Sequence, residues 1–118
     1  MALTLAVADH RGNALAYTGG IGVSDNDVVV QTGDVLQYDT FMLQSTAGAV
    51  DVAVSMDGTN YSTAPLSLTD MGATSTNPVL LTVANRTYGF RGKFAKIQVS
   101  QNGATAATGV CLVCGKMG

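Results

Sequence analysis

The side chains that could carry chemistry are few and stand far apart along the chain. There is a single histidine, His10, and the chain has no glutamate and no tryptophan. A nucleophilic serine or cysteine needs a base beside it. His10 stands in Asp9-His10-Arg11-Gly12, which is typical of an exposed turn, and no Gly-x-Ser-x-Gly motif accompanies it. We therefore expect no catalytic residues and a protein that is not an enzyme.

The closest pair of carboxylates is Asp25 and Asp27, in Ser24-Asp25-Asn26-Asp27. Aspartates at this spacing offer several oxygens to a calcium ion, but the glycine and glutamate that complete an EF-hand loop are missing. Short aspartates in a turn-rich segment usually bond their own backbone. We expect no metal site and no cofactor, with calcium binding at this pair as the alternative.

The two cysteines, Cys111 and Cys114, form one Cys-x-x-Cys motif inside an apolar segment. On a strand, residues three apart are about 10 Å from each other, whereas a disulfide needs Cα atoms within about 7 Å. A structural zinc site needs four ligands, and a redox motif usually lies beside a βαβ unit. The motif therefore predicts two free cysteines that pack as small hydrophobic residues.

The glycine-rich segment 18–22 is not followed by the helix that a phosphate-binding site needs, so it predicts a turn.

Length and composition limit the class of protein. The chain has 118 residues, which predicts one domain over 1–118. Hydrophobic residues make up 47% and charged residues only 12%, against about 25% charged in an ordinary soluble domain. No stretch approaches the ~20 apolar residues of a membrane-spanning helix. The first five residues lack the basic start of a secretory signal, so we expect synthesis in a cytoplasm.

Apolar residues alternate with polar ones at a period of two, with turn signals such as Asp57-Gly58 and Asn102-Gly103 between the runs. This pattern predicts an all-β fold: a single antiparallel β-sandwich or small barrel, jelly-roll-like, with about eight strands. Two irregular parts are predicted, an N-terminal arm or loop near 9–26 and a loop over 69–78. The predicted strands lie near residues 2–8, 27–31, 35–44, 49–56, 61–68, 79–84, 87–91, 93–100 and 107–114.

Charge is divided between two parts of the chain. All eight aspartates lie in the first 70 residues and, with Arg11, sum to −7, whereas residues 71–118 sum to +5. The net charge of −2 disfavours a nucleic-acid partner. One explanation is that strands of the two parts pair their charges at the surface. The other is a basic, aromatic surface that docks on an acidic surface of a partner protein, because arginine and aromatic residues are frequent interface anchors. The residues predicted for this interface are Arg86, Tyr88, Phe90, Arg91 and Lys93.

Three segments carry no charge at all: Leu3 to Ala8, Val28 to Val30, and Val110 to Cys114. Edge strands of solitary β-domains are usually protected by lysine, proline or bulges. Not all three segments can be central strands. We therefore expect an edge strand to pair with another copy of the chain, in a homo-dimer or homo-trimer.

Two parts of the chain together resemble a known type of protein. The unit Val50 to Tyr61 resembles a strand-turn-strand element of small β-sandwich proteins of tailed-bacteriophage particles. Phe94 to Ser100, followed by a glycine turn and Val110 to Cys114, is similar to their closing hairpin. The resemblance is greatest to capsid decoration (cement) proteins, and covers roughly residues 50–114.

The resemblance implies a structural protein on the capsid exterior of a virion, made in the host cytoplasm. Its partners would be the major capsid protein, whose neighbouring subunits it clamps, and other copies of itself, with no nucleic acid and no membrane. It carries over no catalytic residues. The alternatives are a tail- or fibre-associated structural or receptor-binding protein, and a carbohydrate-binding β-sandwich module.

Overall fold

Strands account for all the regular structure in a computed structural model of the chain, which describes residues 3–8, 14–30, 38–62, 65–72 and 78–115. No helix is found within these ranges, so none of the described residues forms an apolar helix that could cross a membrane. The strands of the described residues are β1 (Thr4–Ala8), β2 (Ala14–Ile21), β3 (Asn26–Val30), β4 (Thr40–Gln44), β5 (Ala49–Ser55), β6 (Thr69–Asp70), β7 (Tyr88–Arg91), β8 (Lys96–Asn102) and β9 (Ala107–Gly115).

The strands form two open antiparallel sheets. The larger has the order β1-β2-β9-β4-β7-β6, and the smaller has the order β3-β8-β5. One cluster of buried hydrophobic residues draws on both, including Phe41 and Leu112 from the larger sheet and Val52 and Ile97 from the smaller. The predicted all-β sandwich is thus confirmed, with two separate sheets rather than a closed barrel.

Alternation along the strands explains how the core forms. In β5 the side chains of Val50, Val52 and Val54 are buried, and those between them are half-buried. Ile97 and Val99 of β8 follow the same rule and pair with Val54 and Val52. Period-two patterns therefore located these strands correctly. Met56 continues the alternation of Val50, Val52 and Val54 in the sequence, but the strand ends at Ser55 and the Met56 side chain is exposed.

The N-terminal arm or loop predicted near 9–26 is wrong for residues 14–21, which form β2, whereas residues 22–25 form a turn and residues 9–13 lie outside the described ranges. Strand β2 is central, paired with β1 on one side and β9 on the other. Gly19 and Gly20, which favoured a turn, lie where the pairing with β9 shifts register. Glycine in a strand often marks such an irregularity, which a single sequence cannot distinguish from a turn.

The strands predicted at 61–68 and 79–84 are also wrong for the residues that the structure describes there, 61–62, 65–68 and 79–84. Scattered hydrogen bonds hold both segments beside neighbouring strands. In the first segment, Ser62 N–H donates to the Val54 carbonyl and Leu66 N–H to the Val52 carbonyl. Among the described residues of the two segments, the only ladder contact is an isolated bridge between Leu68 and Val79. The Asp57-Gly58 turn was located correctly, with Gly58 at φ +83°, but the returning chain protects the β5 edge without extending the sheet.

Of the three charge-free segments, two lie at sheet edges. β1 is the first strand of the larger sheet and β3 is an outer strand of the smaller one. The segment 110–114 lies in β9, between β2 and β4, so its backbone is already paired on both sides. If two copies of the chain pair through a charge-free strand, that strand is therefore β1 or β3.

Candidate functional site

The five residues predicted for a partner interface lie in and around β7, but their side chains point in different directions. Tyr88 and Phe90 are buried, with 1% and 6% of their surface exposed, whereas Arg91 is exposed. Successive strand residues face opposite sides of a sheet, so the aromatic pair belongs to the core face. The surface of this segment is made by the basic residues, and the interface itself stays a prediction.

Phe90 belongs to a cluster of three aromatic rings that fixes the end of β7. Its ring stacks on Phe41 with centroids 5.0 Å apart, and Phe94 lies 5.9 Å from Phe41 and 6.4 Å from Phe90. Gly92 has φ +146°, and a Cβ atom there would collide with the ring of Phe94. The close packing of Phe94 against Gly92 therefore determines where the chain leaves the strand and presents Lys93.

Lys93 and Arg91 form the basic end of the larger sheet. Lys93 Nζ lies 4.0 Å from Asp39 Oδ2, with 58% of its side chain exposed. The Asp39 carbonyl accepts a 3.0 Å hydrogen bond from Gly92 N–H, and Arg91 pairs with Thr40 in the β4–β7 register. The basic end, defined as Arg91 and Lys93, thus lies beside Asp39, where β4 begins and β7 ends.

Arg86 is held by an internal ion pair. Its Nε donates to Asp70 Oδ2 at 2.9 Å, and its Nη2 lies 2.8 Å from the same oxygen. The Asp70 side chain is fully buried, and its other oxygen accepts the Gly72 N–H at 2.9 Å. This geometry assigns Arg86 a structural role, joining β6 to the segment before β7.

One surface of the larger sheet faces away from the core and is mostly uncharged. The register places Val113, Met42, Gly89 and Thr69 in one row across β9, β4, β7 and β6. Met71 extends this row, because its sulfur would lie 3.3 Å from a Cβ atom on Gly89. We define this outer face by Met42, Met71, Gly89, Arg91, Cys111 and Val113.

Shallow hollows divide the outer face around Met42. One of about 320 Å³ is lined by Gln44, Cys111 and Val113 with Met42. Another of about 220 Å³ is lined by Met71, Gly89 and Arg91 on the other side of Met42. Arg91 is the only charged residue that lines either of these two, and Arg86 lines a third hollow of about 480 Å³ that Met42 and Met71 share, so the face offers an apolar centre with cations at its margin.

Other candidates from the sequence show no reactive arrangement within the described residues. Asp25 is exposed and accepts the Asn26 N–H, a backbone hydrogen bond that lowers the pKa of its carboxyl. His10 and the Asp27 side chain lie outside what the structure describes. No three histidine, cysteine, aspartate or glutamate residues of the described ranges come together where they could hold a metal ion.

The prediction of two free cysteines is confirmed. Cys114 is buried in the core, and this burial raises the pKa of its thiol to about 12. Cys111 is half-buried and lines the hollow beside Met42. One thiol is therefore part of the core and the other part of the outer face.

Exposed aromatic rings, the usual platform for sugar stacking, are not found. All three phenylalanines, Tyr38 and Tyr88 are buried, and Tyr17 and Tyr61 are half-buried. Since the chain has no tryptophan, these seven residues are all of its aromatic side chains. None of the seven is fully exposed, and only Tyr17 and Tyr61 reach the surface in part.

The outer face was not predicted from the sequence. In Phe41-Met42-Leu43 every residue is apolar, so alternation cannot tell which side chain faces outward. The signal lay in the neighbours: β4 reads Thr40-Phe41-Met42-Leu43-Gln44, and the polar ends share a face with Met42.

Comparisons with known proteins bear on the fold. No family model matches the chain, and no curated protein matches it. The structure is similar to that of the SPBc2 prophage-derived protein YomS, with a TM-score of 0.55 and 12% identity over 95% of this chain and 97% of that chain. The two share a fold.

A family 29 carbohydrate binding module aligns with a TM-score of 0.40 and 14% identity, over 97% of this chain and 70% of the module. A likeness at that score does not bear on function.

Proposed function

We propose that the chain is a non-enzymatic structural protein of a bacteriophage particle, which decorates the capsid and stabilises it by clamping neighbouring major capsid subunits. The observation that carries this proposal is the outer face of the larger sheet. It is apolar in the centre, with Met42 and Val113 side by side, and Arg91 lies at its margin. Protein interfaces commonly have such a composition, with charged residues depleted at the centre and arginine enriched.

The fold supports the phage setting. YomS is prophage-derived and matches this chain over nearly the whole length of both proteins. The same setting is implied by the resemblance of residues 50–114 to decoration proteins. Together they favour a virion protein over an unrelated binding module.

The clamp works through several modest contacts. Each hollow of the outer face accepts a few side chains, which alone would give weak binding. When one copy contacts two subunits, the second contact forms at a high effective concentration and the overall affinity rises by orders of magnitude. Self-association through β1 or β3, as in the predicted homo-oligomer, would add further contacts of the same kind.

A carbohydrate-binding role is less favoured, because sugar platforms generally use exposed aromatic rings and five of the seven in this chain are buried, with Tyr17 and Tyr61 half-buried. A tail or fibre position uses the same kind of surface, and copy number per particle separates it from decoration.

The test uses particles stripped of this protein and purified chain carrying a lysine in the outer face, Met42→Lys. The matched control is Met56→Lys, because Met56 is also exposed but follows β5, away from the outer face. Binding is measured by co-sedimentation over a range of protein concentrations. We expect Met42→Lys to lose at least about tenfold in affinity, equivalent to about 1.4 kcal/mol, and Met56→Lys to bind like the unaltered chain. Equal binding by both variants would remove the outer face from the interface.

The basic end is tested separately, by reversing charge at Arg91 and Lys93 together. We expect weaker docking that is salt-sensitive, because the reversed charges repel an acidic partner surface and salt screens that repulsion. Unchanged binding and salt dependence would show that the basic end does not contact the capsid.

A further inference from the structure

Asparagine occurs six times in the chain, and only Asn102 is followed by a glycine. The side-chain amide of an asparagine can be attacked by the backbone nitrogen of the next residue, which closes a five-membered succinimide ring. A side chain on that next residue hinders the attack, whereas glycine has no Cβ and allows close approach. The pair Asn102-Gly103 is therefore the place in the chain where the sequence most favours this reaction.

The structure leaves both residues of this pair accessible. Asn102 is the last residue of β8, Gly103 is the first residue of the loop to β9, and both are exposed. Gly103 has φ +93°, and nothing lies within 4 Å of the position that a Cβ atom would take there. Among the described residues, no group accepts a hydrogen bond from the Gly103 N–H. The nitrogen that would attack is thus neither covered nor held.

The turn Asp57-Gly58 shows how the same chemistry is prevented elsewhere in the chain. An aspartate before glycine can form the same ring with loss of water, but the Gly58 N–H donates to Ser55 Oγ at 2.9 Å. The Asp57 carboxylate accepts hydrogen bonds from Ser55 Oγ and from two backbone N–H groups. These bonds lower the pKa of Asp57, and an ionised carboxylate resists attack by a nucleophile. Asn102 is neutral, and the nitrogen beside it has no such partner.

The Asn102 side chain joins two strands of the smaller sheet. Its Nδ2 donates to Asp51 Oδ2 at 3.0 Å. The register of β5 and β8 makes the two residues diagonal neighbours, because Asn102 lies opposite Ala49 and Asp51 lies opposite Ser100. Deamidation replaces the donating NH₂ group with a carboxylate oxygen, so two negative charges would face each other. Like charges on neighbouring strands destabilise a sheet.

We propose that Asn102 is a site of spontaneous deamidation, which converts the amide bridge between β5 and β8 into a pair of repelling carboxylates. In the first step the Gly103 nitrogen bonds to Asn102 Cγ, the Cγ–Nδ2 bond breaks, and the backbone amide proton leaves with the side-chain nitrogen as ammonia. Water then opens the ring at one of its two carbonyl carbons. Opening at Cγ gives aspartate, and opening at the backbone carbonyl gives isoaspartate. Water is the only reactant consumed, and nothing is oxidised or reduced.

The isoaspartate product also affects the loop between β8 and β9. Gln101 Nε2 donates to the Gly103 carbonyl at 2.9 Å and to the Thr105 carbonyl at 2.7 Å. The Gln101 side chain therefore holds the loop at a fixed distance from its own backbone. Isoaspartate lengthens the main chain by one carbon atom between Gln101 and Gly103, so these two bonds cannot both keep their geometry.

The reaction is measured on the purified, folded chain during incubation at physiological temperature and mildly alkaline pH. Peptide mapping by mass spectrometry follows the gain in mass when NH₂ is exchanged for OH. Asn60 and Asn85 are controls within the same molecule, because both are exposed but precede a tyrosine and an arginine. We expect Asn102 to convert at least about tenfold faster than either control, with isoaspartate among its products. Conversion of Asn102 no faster than that of the controls would overturn the proposal.

The structural effect is measured by thermal unfolding of two variants. Asn102→Asp copies the aspartate product, and we expect it to lower Tm by about 2–4 °C. Asp51→Asn combined with Asn102→Asp exchanges the two groups, so that an amide again faces a carboxylate and Tm should return to within about 1 °C of the unaltered chain. An unchanged Tm for Asn102→Asp, or no recovery in the double variant, would overturn the repulsion between the two carboxylates. Neither measurement depends on the proposed function.

Discussion

Replacing Arg86 with alanine removes one half of the buried ion pair and leaves the other half inside the protein. Asp70 is fully buried, and one of its oxygens accepts from Arg86 Nε at 2.9 Å with Nη2 at 2.8 Å. Removing one partner of a buried pair typically costs about 3–5 kcal/mol, because a charge remains without compensation. Since the Arg86 side chain is 27% exposed, water screens part of the interaction and the lower end of that range applies. We expect a loss of about 3 kcal/mol.

Thermal and urea unfolding followed by circular dichroism measure this loss. For a chain of this length, about 3 kcal/mol corresponds to a fall in Tm of about 10–15 °C, while a total stability of about 5–15 kcal/mol keeps the variant folded. Arg91→Ala is the control, because Arg91 is an exposed arginine in the same sheet, and its cost should be below about 0.5 kcal/mol.

The opposite substitution distinguishes a buried pair from ordinary packing. Asp70→Asn keeps an oxygen for the Gly72 N–H but leaves Arg86 Nη2, which is itself buried, without its carboxylate, so we expect it to cost about as much as Arg86→Ala. In the double variant the two effects should be non-additive by at least about 1 kcal/mol. A cost below about 1 kcal/mol for Arg86→Ala, or strict additivity, would refute the assignment of this pair as a structural element.

Three further predictions concern turns, acid stability and thiol reactivity. Gly48→Ala should destabilise the protein by more than Gly103→Ala in urea unfolding, because both have positive φ but only at Gly48 would a Cβ atom meet backbone, at 2.5 Å; equal losses would contradict this. Four hydrogen bonds, led by those from two backbone N–H groups, lower the pKa of Asp57. Its stabilisation is therefore fully present above the unfolded pKa of about 3.9 and is lost as pH falls below it. Between pH 5 and pH 2, about the range of that titration, the Tm of Asp57→Asn should fall less than the Tm of the unaltered chain. An equal fall in both proteins would contradict this prediction. Because burial raises the pKa of Cys114 to about 12, iodoacetamide should label Cys111 first and Cys114 only on unfolding, whereas equal rates would indicate that β9 opens.

The fold class could be predicted because the core strands alternate strictly. Val50, Val52 and Val54 face a core that Ile97 and Val99 complete, and each is flanked by residues of lower hydropathy or smaller size. The same rule failed at 79–84, where the apolar residues alternate as in a strand. There the fully buried residue is Thr82, whose hydroxyl accepts the Val50 N–H, and Leu80, Leu81 and Val83 are exposed. Hydropathy alone cannot show that a hydroxyl has a buried partner.

The candidate site was predictable only in part. The charge pattern located Arg91 and Lys93 at a surface, but Tyr88 and Phe90 belong to the core because they alternate with Gly89 and Arg91 along β7. The outer face depends on strands that are distant in sequence, since Met42 and Val113 become neighbours only through the pairing of β4 with β9. That pairing depends on the strand order, which periodicity does not determine.

The central claim, that the chain decorates a capsid, is tested most directly by its copy number in purified virus particles. Quantitative mass spectrometry, scaled to the major capsid protein, gives this number without any variant. The account predicts about one copy for each capsid subunit or for every few capsid subunits. A handful of copies per particle would place the protein in the tail or at the portal, and its complete absence from particles would contradict a virion role.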